Sequence, residues 1–299
     1  MKRILVTGGT VFVSKYVAKY FKTKGHEIYV LNRGTKKQID DVNLICADRG
    51  NLKDCLNKYS FDIIIDVCGY NQKDIKNLLE AVGKFKDYIF ISSSAVYPET
   101  NQQPFSENQK LGLNSIWGKY GTDKIEAEEY LLLRVPNAYI LRPPYLYGPM
   151  QNVYRESFVF ECALKNRKFY IPNDGKMKLQ FFHVEDLCRV IEKILESHPD
   201  EHVLNVGNKE IVDINTFVEL CYKVVGAPLE KVYVTNHDNQ RDYFSFYNYE
   251  YVLDITRQSK LLPEQKKLFE GLKESYEWFR NNSDEVVKKD YIKFIEQNF

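Results

Sequence analysis

Arg3-Ile4-Leu5-Val6-Thr7, followed at once by Gly8-Gly9-Thr10-Val11-Phe12-Val13-Ser14, is the stretch that decides the fold. A short apolar strand runs into two glycines, and a helix-length amphipathic run, Tyr16–Lys24, comes next. A glycine turn between strand and helix lets backbone N–H groups and the helix N-terminus face a diphosphate. Such turns space glycines every third residue, here at Gly8, Val11 and Ser14, and only the first is glycine. Ser14 is small enough for close helix–strand packing. Val11 is expected to resist a positive φ and to crowd the phosphates.

Outward from this turn, short apolar runs alternate with amphipathic ones. Strands are expected at Glu27–Leu31, Leu44–Cys46, Ile63–Val67, Tyr88–Ser92 and Ala138–Leu141, with helices between them that include Lys73–Val82 and Tyr120–Leu132. Several of these strands are apolar on both alternating sets of residues, the pattern of strands buried on two faces. Repeated β-α-β order predicts a Rossmann-type doubly wound parallel sheet, an α/β fold with helices on both sides. After Pro149 the pattern loosens. Glu156–Leu164, Val184–Glu196 and Asn215–Val225 read as helices and Val203–Val206 as a returning strand. Asp242–Tyr251 holds too many aromatic residues for a solvated loop, and either lines a cleft or packs a second unit. The expected division is residues 1–149 with about 178–209 as the dinucleotide-binding domain, and 150–177 with 210–299 as a smaller, interleaved substrate-binding unit.

Composition narrows the function classes. In 299 residues, 42 Lys and Arg nearly cancel 41 Asp and Glu, so a net charge of +1 offers no global attraction to nucleic acid or anionic membrane. The basic start, Met1-Lys2-Arg3, is followed by an apolar run too short for a signal peptide, and nothing reaches the length of a membrane span. Six scattered cysteines with no Cys-x-x-Cys pair fit buried thiols in a reducing cytoplasm. The five histidines show no metal-ligand spacing, and no metal is expected.

Two further features carry chemistry. Tyr120 and Lys124 stand at i and i+4 on one predicted helix face. A nearby ammonium favours phenolate over phenol and can hold a ribose hydroxyl. Upstream, the strand ending Ser92-Ser93-Ser94 places hydroxyls at the carboxyl edge of the sheet, where ligands of such folds sit. The second strand ends Leu31-Asn32-Arg33-Gly34 without the acid that usually selects NAD, and Arg33 suits either a 2′-phosphate or stacking on adenine. NAD(P) is the expected cofactor, with NADP slightly favoured.

In this order the motifs resemble the extended short-chain dehydrogenase/reductase family, the NAD-dependent epimerase/dehydratase group. The resemblance includes Ser93-Ser94-Ala95-Val96-Tyr97, Arg142-Pro143-Pro144-Tyr145-Leu146-Tyr147-Gly148-Pro149, Phe182-His183-Val184-Glu185-Asp186-Leu187, Asn205-Val206-Gly207, and Glu270-Gly271-Leu272 with Trp278. It implies Tyr120 as acid/base, Lys124 lowering its pKa and binding ribose, and Ser93, with Ser94 as the alternative, hydrogen-bonding the reacting oxygen. Gly8, Gly9, Thr10, Val11, Phe12, Val13 and Asn32 would surround the cofactor. By the same resemblance Asp48 contacts adenine, and Arg142 and Pro143 pass beside the nicotinamide. Ser94, Tyr145, Arg155 and Arg241 are candidate substrate contacts.

The departures are specific. Asp66 replaces a common histidine, Ser94-Ala95 replaces the Asp-Glu pair of dehydratases, and Leu179-Gln180 replaces an Arg-Asp pair that often touches a substrate diphosphate. The reading is an NAD(P)-dependent epimerase-type oxidoreductase acting on a sugar or nucleotide sugar, with a homodimer as a candidate assembly. The alternatives are an NADPH-dependent carbonyl reductase and a non-catalytic nucleotide- or RNA-binding relative. The altered glycine turn and the Asn-Arg after strand two resemble chloroplast RNA-binding proteins. Nucleic acid is nevertheless disfavoured by the charge balance.

Overall fold

The computed structural model describes residues 1–299. The apolar runs form a sheet of seven parallel strands. Six come from the first half: β1 (Arg3–Thr7), β2 (Glu27–Asn32), β3 (Asn43–Cys46), β4 (Ile63–Asp66), β5 (Asp87–Ile91) and β6 (Tyr139–Arg142). The seventh, β10 (Val203–Asn205), returns to the sheet much later in the chain. The strand order is β10-β6-β5-β4-β1-β2-β3, so the direction of winding reverses at the β1/β4 junction. Registers such as Leu5↔Tyr29 and Leu5↔Ile64 align the carboxyl ends of the central strands.

Successive residues of each strand point to opposite faces. Leu5, Ile64, Tyr88, Phe90 and Ile140 pack with Ile75 and Leu78 of α2 (Gln72–Ala81) and with Ala127 and Leu131 of α3 (Lys119–Arg134). Ile4, Val6, Ile63 and Ile65 alternate with them and are also buried, on the face covered by α1 (Phe12–Thr23) and α5 (Val184–Ser197).

This unit comprises Met1–Pro144, Val184–Gly207 and Leu253–Gln265. The sequence pattern assigns the last segment to the smaller unit. It joins the sheet unit because Asp254 N donates to Phe105 O (2.8 Å), and because helix α7 (Thr256–Leu261) binds the β10 end. There Arg257 donates to Val203 O (2.8 Å) and Gln258 accepts from Gly207 N (2.7 Å).

The second unit comprises Tyr145–His183, Asn208–Val252 and Lys266–Phe299. It has a three-stranded sheet made of β7 (Tyr145–Tyr147), β9 (Lys178–His183) and β11 (Ile211–Asp213), in the order β11-β9-β7. A parallel pair joins β8 (Phe169–Pro172) to β12 (Lys231–Val234). Helices α4 (Glu156–Leu164), α6 (Ile214–Val225) and α8 (Leu268–Asn282) pack on one another, and α9 (Tyr291–Asn298) ends the chain. The sequence pattern assigns 145–149 and 178–183 to the dinucleotide-binding domain. They belong here instead, because β7 and β9 pair with each other and β9 with β11. Of the aromatic stretch, Tyr243, Phe244, Phe246 and Tyr251 are buried, the first three in this unit's core, while Tyr247 is exposed.

Candidate active site

The turn after β1 is built on two consecutive positive-φ glycines, Gly8 (φ 93°) and Gly9 (φ 83°). A Cβ on Gly8 would lie 2.7 Å from Cys68 Sγ and from Ser14 Oγ, and one on Gly9 would lie 2.5 Å from Val30 Cγ1. Both positions therefore require glycine. Val11 is not at a positive φ. It is the N-cap of α1 in an extended conformation (φ −138°, ψ 137°), which a β-branched residue adopts without strain. The expected φ conflict at Val11 is thus corrected. Ser14 packs against Gly8 and donates to Val11 O (2.9 Å). No side chain caps α1 and no acid sits in its first turn, so its leading N–H groups remain available to an anion.

A cavity of about 470 Å³ opens at the carboxyl ends of β1 to β4. Gly8, Thr10, Asn32, Arg33 and Asp48, all expected at the cofactor, line it. Asn32 also locks the turn, donating to Gly8 O (2.6 Å) and accepting from Gly34 N (2.8 Å). Gly9, Val11, Phe12 and Val13 shape the turn without lining the cavity. Arg49, Cys68, Tyr70 and Asp74 line it too, and sequence reasoning missed them. They lie just beyond strand ends, where the edge-of-sheet rule points, but no motif marks them.

Ser93 follows β5 in extended conformation, its Oγ accepts from Ala95 N (3.2 Å), and the hydroxyl is near enough to the Tyr120 phenol to lower its pKa. Gly121 permits this approach, since a Cβ there would run into Ala95 O. Tyr120 is 41 % exposed, yet desolvation raises its pKa and the Ser93 contact lowers it in part. Lys124, one turn on, is buried with Nζ donating to Gly69 O (2.7 Å) and Ile91 O (2.8 Å). Phe90 and Tyr70 rings flank the ammonium. Burial lowers the Lys124 pKa to about 8, opposed by Asp66 and Glu128. The influence that lowers the phenol pKa comes from Ser93, and the one expected from Lys124 is not found.

Arg142 is held by partners that the sequence did not show. Its guanidinium is buried against Glu128 (Nε–Oε1 3.0 Å) and donates to Tyr97 Oη (2.8 Å), so it ties β6 to α3 and does not line the cavity. Pro143 is buried, and its carbonyl accepts from Ser94 N (3.0 Å).

Residues 4–207 match the model of the NAD dependent epimerase/dehydratase family. The chain belongs to that family. Its class is the NAD(P)-dependent enzymes of the extended short-chain dehydrogenase/reductase type. The chain is similar to the chloroplast stem-loop binding protein of 41 kDa b of Arabidopsis thaliana, with 25 % identity over 92 % of this chain and 78 % of that one. Among solved structures, UDP-glucose 4-epimerase of Thermotoga maritima with UDP-glucose has a TM-score of 0.79 at 22 % identity, covering 94 % of this chain and 99 % of that one. UDP-glucuronic acid 4-epimerase of Bacillus cereus, in complex with UDP-glucuronic acid and NAD, has a TM-score of 0.74 at 20 % identity, covering 93 % and 99 %.

In this epimerase/dehydratase family member the remaining expected contacts fall in two places. Ser94 is buried in the sheet unit. Tyr145, Arg155 and Arg241 come together in the second unit. Arg155 lies over the Tyr145 ring (5.6 Å) and donates to Leu146 O, while Arg241 lies over Tyr247 (4.6 Å) and donates to Ser245 O. Desolvation raises the Tyr145 pKa, and both arginines oppose the rise. The Tyr145 hydroxyl is buried without a hydrogen-bond partner. Leu179, at the position where the resemblance leads one to expect arginine, is core. No helix is long and apolar enough to cross a membrane.

Proposed function

We propose that the chain is an NAD(P)-dependent epimerase-type oxidoreductase acting on a sugar nucleotide. The observation that carries this reading is the grouping of Ser93, just after β5, with Tyr120 and Lys124 one turn apart on α3, Lys124 Nζ anchored on Gly69 O and Ile91 O, on the sheet edge that also holds the cavity. The residues present fit a dinucleotide: Gly8 and Gly9 take the positive φ values that a tight turn before α1 requires, and the α1 N-terminus is uncapped. Gly8, Thr10, Asn32, Arg33 and Asp48 would hold its adenosine and phosphates, and Lys124 a ribose hydroxyl. When bound, the nicotinamide supplies a hydride acceptor or donor. Tyr120 holds its proton in the ligand-free state, because desolvation raises its pKa, and passes it to or from the reacting oxygen. Ser93 orients that oxygen. Arg33 favours NADP.

A diphosphate would be met by Arg155 and Arg241 beside Tyr145, in place of the missing β9 arginine. Ser94-Ala95, both buried and neither acidic, argue against dehydration.

The test has two parts. Purified protein is denatured and any released dinucleotide identified by mass, then Tyr120→Phe is assayed with nucleotide sugars. Tyr120→Phe should lose about 10²-fold or more in kcat while binding dinucleotide like the wild type. Wild-type turnover by this variant removes the mechanism.

A second reading is favoured by the Arabidopsis relative, whose name is that of a stem-loop binding protein. Retention of a stem-loop RNA in a gel shift, falling steeply with salt, together with no turnover, would support it.

A further inference from the structure

Two arginines line the cavity at the ends of β1 to β4, and they are held in opposite ways. Arg33 follows β2 in an exposed turn, and no hydrogen bond or ion pair holds its guanidinium. Its fork and its charge are both free to meet an anion. Arg49 is already engaged. Nη1 and Nη2 donate to the two oxygens of Asp66 at 2.7 and 2.6 Å, and Nη2 also reaches Asp74 O at 3.1 Å.

Asp66 is fully buried, and hydroxyls complete its coordination: Thr7 Oγ1 at 2.7 Å on one oxygen, Tyr88 Oη at 2.7 Å on the other. Each carboxylate oxygen thus accepts two hydrogen bonds, which fills its capacity. Thr7 Oγ1 in turn accepts from Val67 N (2.9 Å) and Cys68 N (3.0 Å), fixing the assembly to the backbone after β4. Arg49 therefore has its charge matched and its terminal nitrogens occupied. Only Nε lacks a hydrogen-bond partner, 3.9 Å from Asp74 Oδ1. What Arg49 retains for the cavity is the flat surface of the guanidinium. A matched, planar cation suits stacking on a heterocycle, whereas phosphate recognition needs an open fork.

We propose that Arg49 is the platform on which a purine base stacks, that Asp66 is the positioning residue that keeps it flat, and that Arg33 alone reads phosphate at the ribose. The inference rests on the reading of this cavity as the adenosine end of a dinucleotide site. It goes with a departure from the family pattern, since Asp66 stands where the resemblance leads one to expect histidine.

Calorimetric titration of the full chain with 5′-ADP and with adenosine 2′,5′-bisphosphate tests it. Arg49→Lys keeps a cation opposite Asp66 but removes the planar face. It should weaken both nucleotides by about ten-fold and leave their affinity ratio unchanged. Arg33→Ala should weaken only the 2′-phosphorylated nucleotide. If Arg49→Lys melts too low to titrate, Arg49→Ala/Asp66→Asn, which removes both charges together, must show the same parallel loss. Wild-type affinities with a lowered melting temperature would make Arg49 a strut and overturn the proposal. Selective loss of the bisphosphate by Arg49→Lys would make it a phosphate reader and overturn it equally. Failure of the wild type to bind either nucleotide would instead remove the dinucleotide reading itself, and this inference with it.

Discussion

Lys124 carries a stability signature that can be read without any substrate. It is 2 % exposed, and burial lowers its pKa to about 8 from the ordinary 10.5. The unfolded chain keeps the ordinary value. Between the two, the unfolded state binds more protons than the folded one, so stability rises with pH. Below about pH 8 both states hold the proton, and the cost of the buried charge is felt in full. Integrated from about pH 7 to about pH 9.5, the gain is about 2 kcal/mol in favour of the native state. Lys124→Met lacks the group, and the chain's other titrations are common to both proteins. The quantity to compare is therefore the pH dependence of unfolding free energy, measured by urea titration of wild type and variant at the two pH values. The wild type should gain about 2 kcal/mol more than the variant. Equal pH dependences would show that the ammonium is not desolvated, and the account of its burial against Gly69 O and Ile91 O would fail.

Gly121→Ala should push α3 away from Ala95 O and carry Tyr120 with it, at about 1–3 kcal/mol of stability and about 10²-fold in turnover. A near wild-type kcat would show that the Ser93–Tyr120 contact tolerates the shift. Val11→Gly should cost about 0.5–1 kcal/mol in a thermal or chemical melt, with no gain in dinucleotide affinity, because Val11 is already in a relaxed extended conformation. Tighter binding by calorimetry would restore the crowding argument. Glu128→Gln leaves Arg142 buried without its anion and should destabilise by about 3–5 kcal/mol, read as a fall in urea midpoint.

What could be read from the sequence was what local pattern encodes. β1 runs Arg3–Thr7 and α4 Glu156–Leu164 in both reading and structure, because apolar runs and helical periodicity depend on neighbours in the chain. The two glycines were legible as a turn, but the residue spacing assigned the strained position to Val11, and only backbone geometry shows that Gly8 and Gly9 take the positive φ values. The partners of Arg142 were hidden for a related reason. A motif gives a residue's place along the strand, while the direction of its side chain is decided by Glu128, fourteen positions away on another element. The same holds for β9, which the sequence pattern did not mark as a strand; its partners β7 and β11 are fixed by pairing that composition does not encode. Arg49 fell outside every motif. Its role depends on the carboxylate of Asp66, brought to it across the sheet, and a buried charge is kept in such a place only when its partner arrives with it. The departure at Asp66, visible in the sequence as an anomaly, is therefore explained by Arg49, and neither residue could have been interpreted without the other.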